Sequence, residues 1–404
     1  MQPFSPLSAR ISYFLLTSRW GRIPPTSPIA AIISYAAFRT LRLLLAIGLV
    51  TLAACAVSAE SVRSNAANNA QSAVSLRVVS TPNPNVFPLL LAMSQTPGLA
   101  VSLVPVATGN DIVHTFSAGQ GDALLSMTYT AAQEVVTGKV PQLQLVQVNF
   151  WRGFWMLAPR SANIAQFSQM DGQGVLVAGP TTGGQGGGPD LFFQAAIERT
   201  GMTSADFKLC YLPVMQAAPM IAQQQQMDSN PACDPSFSKA PAAISLVEPA
   251  ATGLVLQSRM APSGEPLRKS IDLQTLFTGY TTWPSNQLPH GGVSVLSTVL
   301  ENPSRLAITQ SVLKAYRVAA NEIMAAKGHP LAMMKIAKAI STGITTYYGQ
   351  YGLSLPAPVI FASLQSGDLV YRTDLLLNAI QPDLAAFLTE VVGTPPPASF
   401  YHPL

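Results

Sequence analysis

Val175-Leu-Val-Ala-Gly-Pro-Thr-Thr-Gly-Gly-Gln-Gly-Gly-Gly-Pro-Asp-Leu-Phe-Phe-Gln-Ala-Ala-Ile-Glu-Arg-Thr-Gly201 joins three local patterns in one stretch. It opens as a short apolar run of strand type and passes through a loop with five glycines between Gly183 and Gly188. A helix then begins at Pro189 and Asp190. Proline suits the first turn because its missing N–H would have no intrahelical partner there, and a carboxylate opposes the positive end of the helix dipole. Leu191, Phe192, Ala195, Ala196 and Ile197 recur at helical spacing, and Gly201 ends the pattern as a C-terminal cap does. Strand, glycine loop and helix N-terminus together present unpaired backbone N–H groups to a ligand, an anion by preference. The same glycines equally suit a plain surface loop, so the rest of the chain has to decide.

Working outward, 404 residues suffice for two domains, and 48% hydrophobic against 10% charged residues supply an ample core and a nearly neutral surface. The isoelectric point near 9.0 misleads. Arg10, Arg19, Arg22, Arg39 and Arg42 stand in residues 1–55, which hold no acid; without those five the 23 basic residues fall to 18 against 19 acidic ones. No basic stripe remains that could follow a phosphate backbone, which excludes nucleic acid as a partner.

Arg39-Thr-Leu-Arg-Leu-Leu-Leu-Ala-Ile-Gly-Leu-Val-Thr-Leu-Ala-Ala-Cys55 has the basic start, apolar run and small-residue end of a secretory signal. Its apolar part, Leu43 to Cys55, is short for a membrane span, though a permanent anchor helix is the competing reading. Leu52-Ala53-Ala54-Cys55 resembles the bacterial lipobox, in which the cysteine is acylated after cleavage and holds the protein at a membrane surface. Val57-Ser58-Ala59 offers an ordinary cleavage site instead. Residues 1–38 read as extra leader or as a start placed too far upstream. Processing at or after Cys55 leaves Cys210 and Cys233, and in an exported protein that pair is expected to form a disulfide across the turn-rich segment around Ser229-Asn-Pro-Ala-Cys-Asp-Pro. Loop closure makes such a bridge worth about 3 kcal/mol. With no CxxC and no His/Cys cluster, neither a metal nor any other cofactor is expected.

After the small, polar residues 60–74, strand-like runs alternate with helical ones: 76–80, 101–106, 122–126, 145–151 and 153–158, then again 174–178, 207–211 and 242–247. Alternation of this kind predicts parallel sheets with helical crossovers. Helices are predicted after Thr81-Pro-Asn-Pro84, from Gly109-Asn-Asp111 to Phe116, to Val136, from Val214 to Gln225 and from Pro249 to Gln257. Beyond about Leu288 the chain reads as mainly helical: 303–326, 329–342, 344–351 and 374–391, with one short strand at 368–372.

Leu76-Arg-Val-Val-Ser, Gly121-Asp-Ala-Leu-Leu-Ser-Met-Thr, Gly174-Val-Leu-Val-Ala-Gly-Pro-Thr-Thr-Gly, Ala243-Ile-Ser-Leu-Val-Glu-Pro and Leu300-Glu-Asn-Pro-Ser-Arg before a long helix follow one another in an order and spacing that resembles the type II periplasmic substrate-binding proteins of ABC importers, nitrate/sulfonate/taurine (NitT/TauT) branch. The resemblance covers nearly everything after residue 75. It implies a two-lobed α/β fold with hinge strands and a ligand cleft between the lobes, organised as leader and lipobox region 1–59, tether 60–75, lobe I from 76–151 and 287–404, and lobe II from 152–286. It also implies a monomer in the periplasm that hands a small molecule (sulfonate, nitrate, pyrimidine-like or another small polar organic compound) to a permease and ATPase. A sensor or scaffold built on the same fold is the alternative. The chain departs from the family pattern in its longer glycine loop, in Thr181-Thr182 where serine is common, in the insertion from Gln223 to Ala240, and in the lack of an aromatic beside Thr81, Pro82 and Asn83.

Ligands of open α/β sheets bind outside the carboxyl ends of the strands. The candidate residues there are Ser80, Thr81, Asn83, Thr108, Asn110, Ser126, Met127 and Thr128 on the first lobe. On the second they are Thr181, Thr182, Gly183, Gly184, Gln185 and Glu248, with Met215 and Gln216 nearby. Each also suits a turn or cap, and Glu248 also suits a helix start or an ion pair. Trp151, Phe154 and Trp155 are candidates for stacking or for plain packing. No arginine or lysine falls in a predicted cleft loop, so an anion would depend on backbone N–H groups. Enzymatic motifs are missing: there is no G-x-S-x-G or H-E-x-x-H, the glycine loop lacks the P-loop lysine, and Pro189 breaks a G-x-G-x-x-G register. His114, His290, His329 and His402 are scattered, and the cysteine-rich iron motif of a related pyrimidine-forming branch is absent.

Overall fold

The computed structural model describes residues 75–179, 184–260 and 265–404. The predicted leader with Cys55, the predicted tether up to residue 74, and Thr181, Thr182 and Gly183 lie outside the described residues. Along the chain the strands are β1 Leu76–Ser80, β2 Val101–Pro105, β3 Ala123–Met127, β4 Leu143–Arg152, β5 Phe154–Pro159, β6 Gly174–Gly179, β7 Lys208–Pro213, β8 Ala243–Val247, β9 Leu267–Asp272, β10 Gly291–Leu296 and β11 Val370–Tyr371. They form two sheets, β11-β4-β10-β3-β1-β2 in lobe I and β7-β6-β8-β5-β9 in lobe II. Strands β3 and β6 are almost wholly apolar and buried, and β1 is buried apart from Arg77, because helices cover both faces of each sheet.

The sheets are mixed, which corrects the expectation of purely parallel ones. Pairs β1–β2, β1–β3, β6–β7 and β6–β8 are parallel, whereas β10 runs antiparallel to β3 and β4, β11 to β4, and β5 to β8 and β9. The parallel strands end at the lobe junction, so a strand that starts there has to run the other way. β4 passes through Gly153 straight into β5, and β10 returns from the junction between β3 and β4. Gly153 is required by close approach: a Cβ there would meet the Phe150 ring at 2.5 Å.

Both β9 and β10 lie where no strand was predicted. β9 (Leu-Arg-Lys-Ser-Ile-Asp) has polar residues at its centre, and β10 opens on two glycines, so neither carries the apolar run that marks a strand. The helix from Val214 stops at Ala222; Pro330–Tyr348 is one helix where two were predicted; Ala357–Ser366 is a helix not predicted at all. Three segments that carried the family resemblance meet in space. Asp122, buried at the start of β3, accepts from Arg77 through Nε at 3.0 Å and Nη2 at 2.6 Å, and pairs with Arg305 of the helix Pro303–Ala325.

One buried constellation ties the two crossings between lobes together. The Gln274 carbonyl accepts from the N–H groups of Phe154 at 2.6 Å and Gly153 at 3.2 Å, and lies 3.1 Å from His290 Nε2. Since that oxygen only accepts, Nε2 carries the proton, and Nδ1 is buried without a partner. Phe150, Phe154, Phe192 and Tyr129 surround the imidazole. Burial lowers the His290 pKa to about 3. The ring is a neutral spacer between the first crossing at 153 and the second, which runs from β9 to β10.

Candidate functional site

Two cavities adjoin at the lobe junction, sharing Pro82, Asn83 and Val247. The first, about 530 Å³, is polar. It brings together Thr81, Asn83, Thr108, Asn110, Ser126 and Met127 of lobe I with Gly184 and Gln185 of lobe II. The second, about 820 Å³, is apolar, with Phe87, Val214, Met215, Leu246, Leu254 and Val359 among its walls. Glu248 lies on this second cavity with Asn83 and Met215, and not on the polar one.

The loop that follows β1 is held from beneath. Tyr316 donates to Asn85 O at 2.7 Å, Tyr371 to Pro84 O at 2.6 Å and Tyr348 to Ser80 O at 3.2 Å. Burial pushes all three hydroxyls well up, so they remain donors. These tyrosines belong to the C-terminal part of the chain, and nothing local in the sequence pairs them with residues 80–85.

Several candidate side chains are committed inward. Ser80 donates to Leu125 O at 2.8 Å, Thr128 donates to Pro289 O, and neither is on the walls of these two cavities. Asn83 caps its own turn, its oxygen accepting from Asn85 N at 2.9 Å. Thr108 and Asp111 form a reciprocal capping box at the helix Gly109–Ser117. Glu248 is fully buried; it pairs with Lys269, accepts from Ser363 Oγ at 2.7 Å, and follows with Pro249 through a cis peptide. Its carboxylate is thus engaged by protein groups. Trp151 and Phe154 are buried in the core, and Trp155 lies under the side chains of Arg152 and Lys269.

The glycine loop also differs from an open anion cradle. Gly184 and Gly186 adopt positive φ (70° and 69°), which bends the loop over the polar cavity. The Asp190 carboxylate then turns back on it, accepting from Gly186 N at 2.8 Å, Gln194 Nε2 at 3.0 Å and the Tyr211 hydroxyl at 3.0 Å. Burial and then the Asp190 charge raise the Tyr211 pKa above its ordinary value. Gly187 N–H is spent on Gly184 O. The helix N-terminus therefore already holds an anion, and it belongs to the protein. Gly188 comes so close to lobe I that a Cβ would meet Thr130 Oγ1 at 2.6 Å.

Three charged residues at the cavities escaped the sequence reading. Lys139 lines the polar cavity, and Arg259 lines the apolar one; both are exposed, and they correct the expectation of a cleft without basic residues. Glu134 also lines the polar cavity, from the helix Thr128–Val136. Its signal was present: it lies one helical turn after Thr130, on the helix that follows a predicted site strand. Burial raises its pKa, against the through-space pull of Lys139. Among the described residues no group of three or more His, Cys, Asp or Glu could hold a metal, and no helix is long and apolar enough to cross a membrane.

Two mixed sheets, two crossings and a cavity system at the strand ends define the two-lobed periplasmic binding protein fold. Solved structures agree at the level of fold. The periplasmic aliphatic sulphonate-binding protein SsuA of Escherichia coli aligns with TM-score 0.53 at 15% identity, over 80% of this chain and 86% of that one. The alkanesulfonate-binding protein SsuA of Xanthomonas axonopodis pv. citri, bound to MOPS, aligns with TM-score 0.52 at 14% identity, over 82% and 99%. A ligand-binding component of an ABC-type import system from Staphylococcus aureus aligns with TM-score 0.53 at 11% identity, over 82% and 97%. No family model matches the sequence, and no curated protein matches it.

Proposed function

We propose that this chain is an exported, non-catalytic solute receptor that closes its two lobes on a small organic molecule and delivers it to the permease and ATPase of an ABC importer. The observation that carries the reading is the pair of adjoining cavities at the carboxyl ends of strands from both lobes, with Thr81, Asn83 and Met127 on one side and Gly184 to Gly188 on the other. Structures of the same fold include sulfonate-binding importer components, which supports a role in uptake. In this reading Cys55 carries the acyl anchor, and lobe closure follows from tighter binding to the closed state than to the open one.

A thermal-shift screen over sulfonates, nitrate, pyrimidines, amino acids and amines tests it. A ligand that binds only the folded state at a hundred times its Kd adds about 2.7 kcal/mol, a shift of several degrees. A flat response across the screen, followed by no heat in calorimetry, would remove the receptor reading.

A further inference from the structure

Glu134 is the acid on the polar cavity whose carboxylate the protein leaves partly unsatisfied. The residue is only 4% exposed, its Oε2 is buried without a hydrogen-bond partner among the described residues, and it lines the polar cavity. Buried acceptors are nearly always paired, so a donor is missing from this one. Within the cavity wall the sole cation is Lys139, which is exposed and makes no ion pair with Glu134 among the described residues. Two backbone N–H groups of the cavity wall that could favour an anion are already occupied: Gly186 N–H by Asp190, and Thr108 N–H by Asp111 at 2.8 Å. Both occupants are themselves carboxylates. Neither Asp190 nor Asp111 lines the cavity; the acid that does, among the described residues, is Glu134.

The neighbouring cavity supplies the other half of the argument. Its walls are aliphatic and aromatic, and its one buried charge, Glu248, is already paired with Lys269 and Ser363. A wholly polar solute would leave that volume unused, and a wholly apolar one would leave Glu134 unpaired.

From this juxtaposition we infer that the cleft takes an amphipathic amine, with an ammonium or other N–H-donating head on Glu134 and an apolar body in the larger cavity. The inference rests on the solute-receptor reading above and narrows it, away from the sulfonates of the structurally similar proteins. A charged donor on a buried carboxylate makes a strong hydrogen bond, whereas a sulfonate at the same place meets like charge.

Three probes with one apolar body separate the possibilities: phenethylammonium, 2-phenylethanol and 2-phenylethanesulfonate, each titrated by calorimetry and thermal shift into the intact protein. Phenethylammonium is expected to bind at least about tenfold more tightly than the alcohol, a difference of about 1.4 kcal/mol, with the sulfonate weakest. In Glu134→Gln the preference for the ammonium over the alcohol should fall to about one, while the alcohol's own affinity stays. Because that variant removes a buried unpaired carboxylate, its ligand-free midpoint should match or exceed wild type, which separates lost recognition from lost folding. Tighter binding of the sulfonate, or an ammonium preference that survives in Glu134→Gln, overturns the amine assignment and leaves the receptor reading standing. Silence from all three probes and from the wider solute screen overturns both.

Discussion

His290 has a consequence that can be measured directly. Its folded pKa of about 3 lies below the ordinary histidine value, because burial disfavours the charged ring. Between pH about 6.5 and 3 the unfolded chain therefore binds a proton that the folded protein does not, so stability rises with pH across that window. Acidification from pH 7 to pH 4 should cost up to about 1.4 kcal/mol per pH unit from this residue alone, on top of whatever the carboxylates contribute. Denaturant titrations of wild type and His290→Gln at several pH values isolate the term as the difference in slope. Identical slopes would mean that the imidazole is not buried as a neutral group. The sequence placed His290 among four scattered histidines and gave it no role, since its partner Gln274 and its aromatic walls come from four separate segments. The strand-end residues were legible in a different sense: Thr81, Thr108, Asn110 and Ser126 do converge on one cavity. What could not be read was which hydroxyls are already spent, because Ser80 and Thr128 donate to carbonyls 45 and 161 residues away.

Elements followed the strength of their local signal. β1, β3, β6 and β8 are apolar runs closed by turn residues and were predicted within a residue or two, whereas β9 and β10 carry no such run and are strands because the sheets complete themselves with them. The disulfide joins Cys210 of β7 to Cys233 in the segment beyond the helix Val214–Ala222, so the insertion is fastened back to the edge strand of lobe II. The helix Gly188–Glu198 has the predicted proline and aspartate in its first turn, but the aspartate serves the glycine loop. Its first residue makes the sharpest prediction at this scale. Gly188 approaches Thr130 and Tyr129 across the lobe junction, so Gly188→Ala should obstruct that approach. Overpacking of this kind costs about 1–3 kcal/mol, and in the proposed receptor it falls on the arrangement in which the two lobes touch here. Ligand affinity should fall roughly tenfold or more while the ligand-free melting midpoint moves little. A variant that loses midpoint and affinity in step would show that the contact belongs to the folded core instead.

At the scale of the whole binding unit, the C-terminal helices bridge the lobes on both flanks. The helix Ala357–Ser366 packs on Pro330–Tyr348 of lobe I and on Ala250–Met260 of lobe II. The helix Leu377–Val392 packs on Thr128–Val136 of lobe I and on Gly188–Glu198 of lobe II. An ion pair accompanies each bridge: Lys269 with Asp368 on one flank, Arg199 with Glu390 on the other, the latter strengthened by the Tyr280 hydroxyl at 2.6 Å from Glu390. In the proposed receptor, opening the cleft has to break these pairs or carry a helix along with lobe II. Both pairs are part-exposed, so each is worth about 0.2–1 kcal/mol, enough to bias a balance between open and closed forms without locking it. Asp368→Asn together with Arg199→Gln leaves Glu248 paired with Lys269 and should shift the ligand-free protein toward the open form. Small-angle scattering would then report a larger radius of gyration for the variant. Wild type should approach the same value as salt is raised, since screening weakens the same part-exposed pairs. Affinity should fall by the loss in closed fraction, a few-fold, because the apparent Kd scales inversely with the competent population. An unchanged radius at both salt concentrations would mean that the helices move with lobe II, and the hinge would then lie outside them, at Gly153 and the 273–290 crossing.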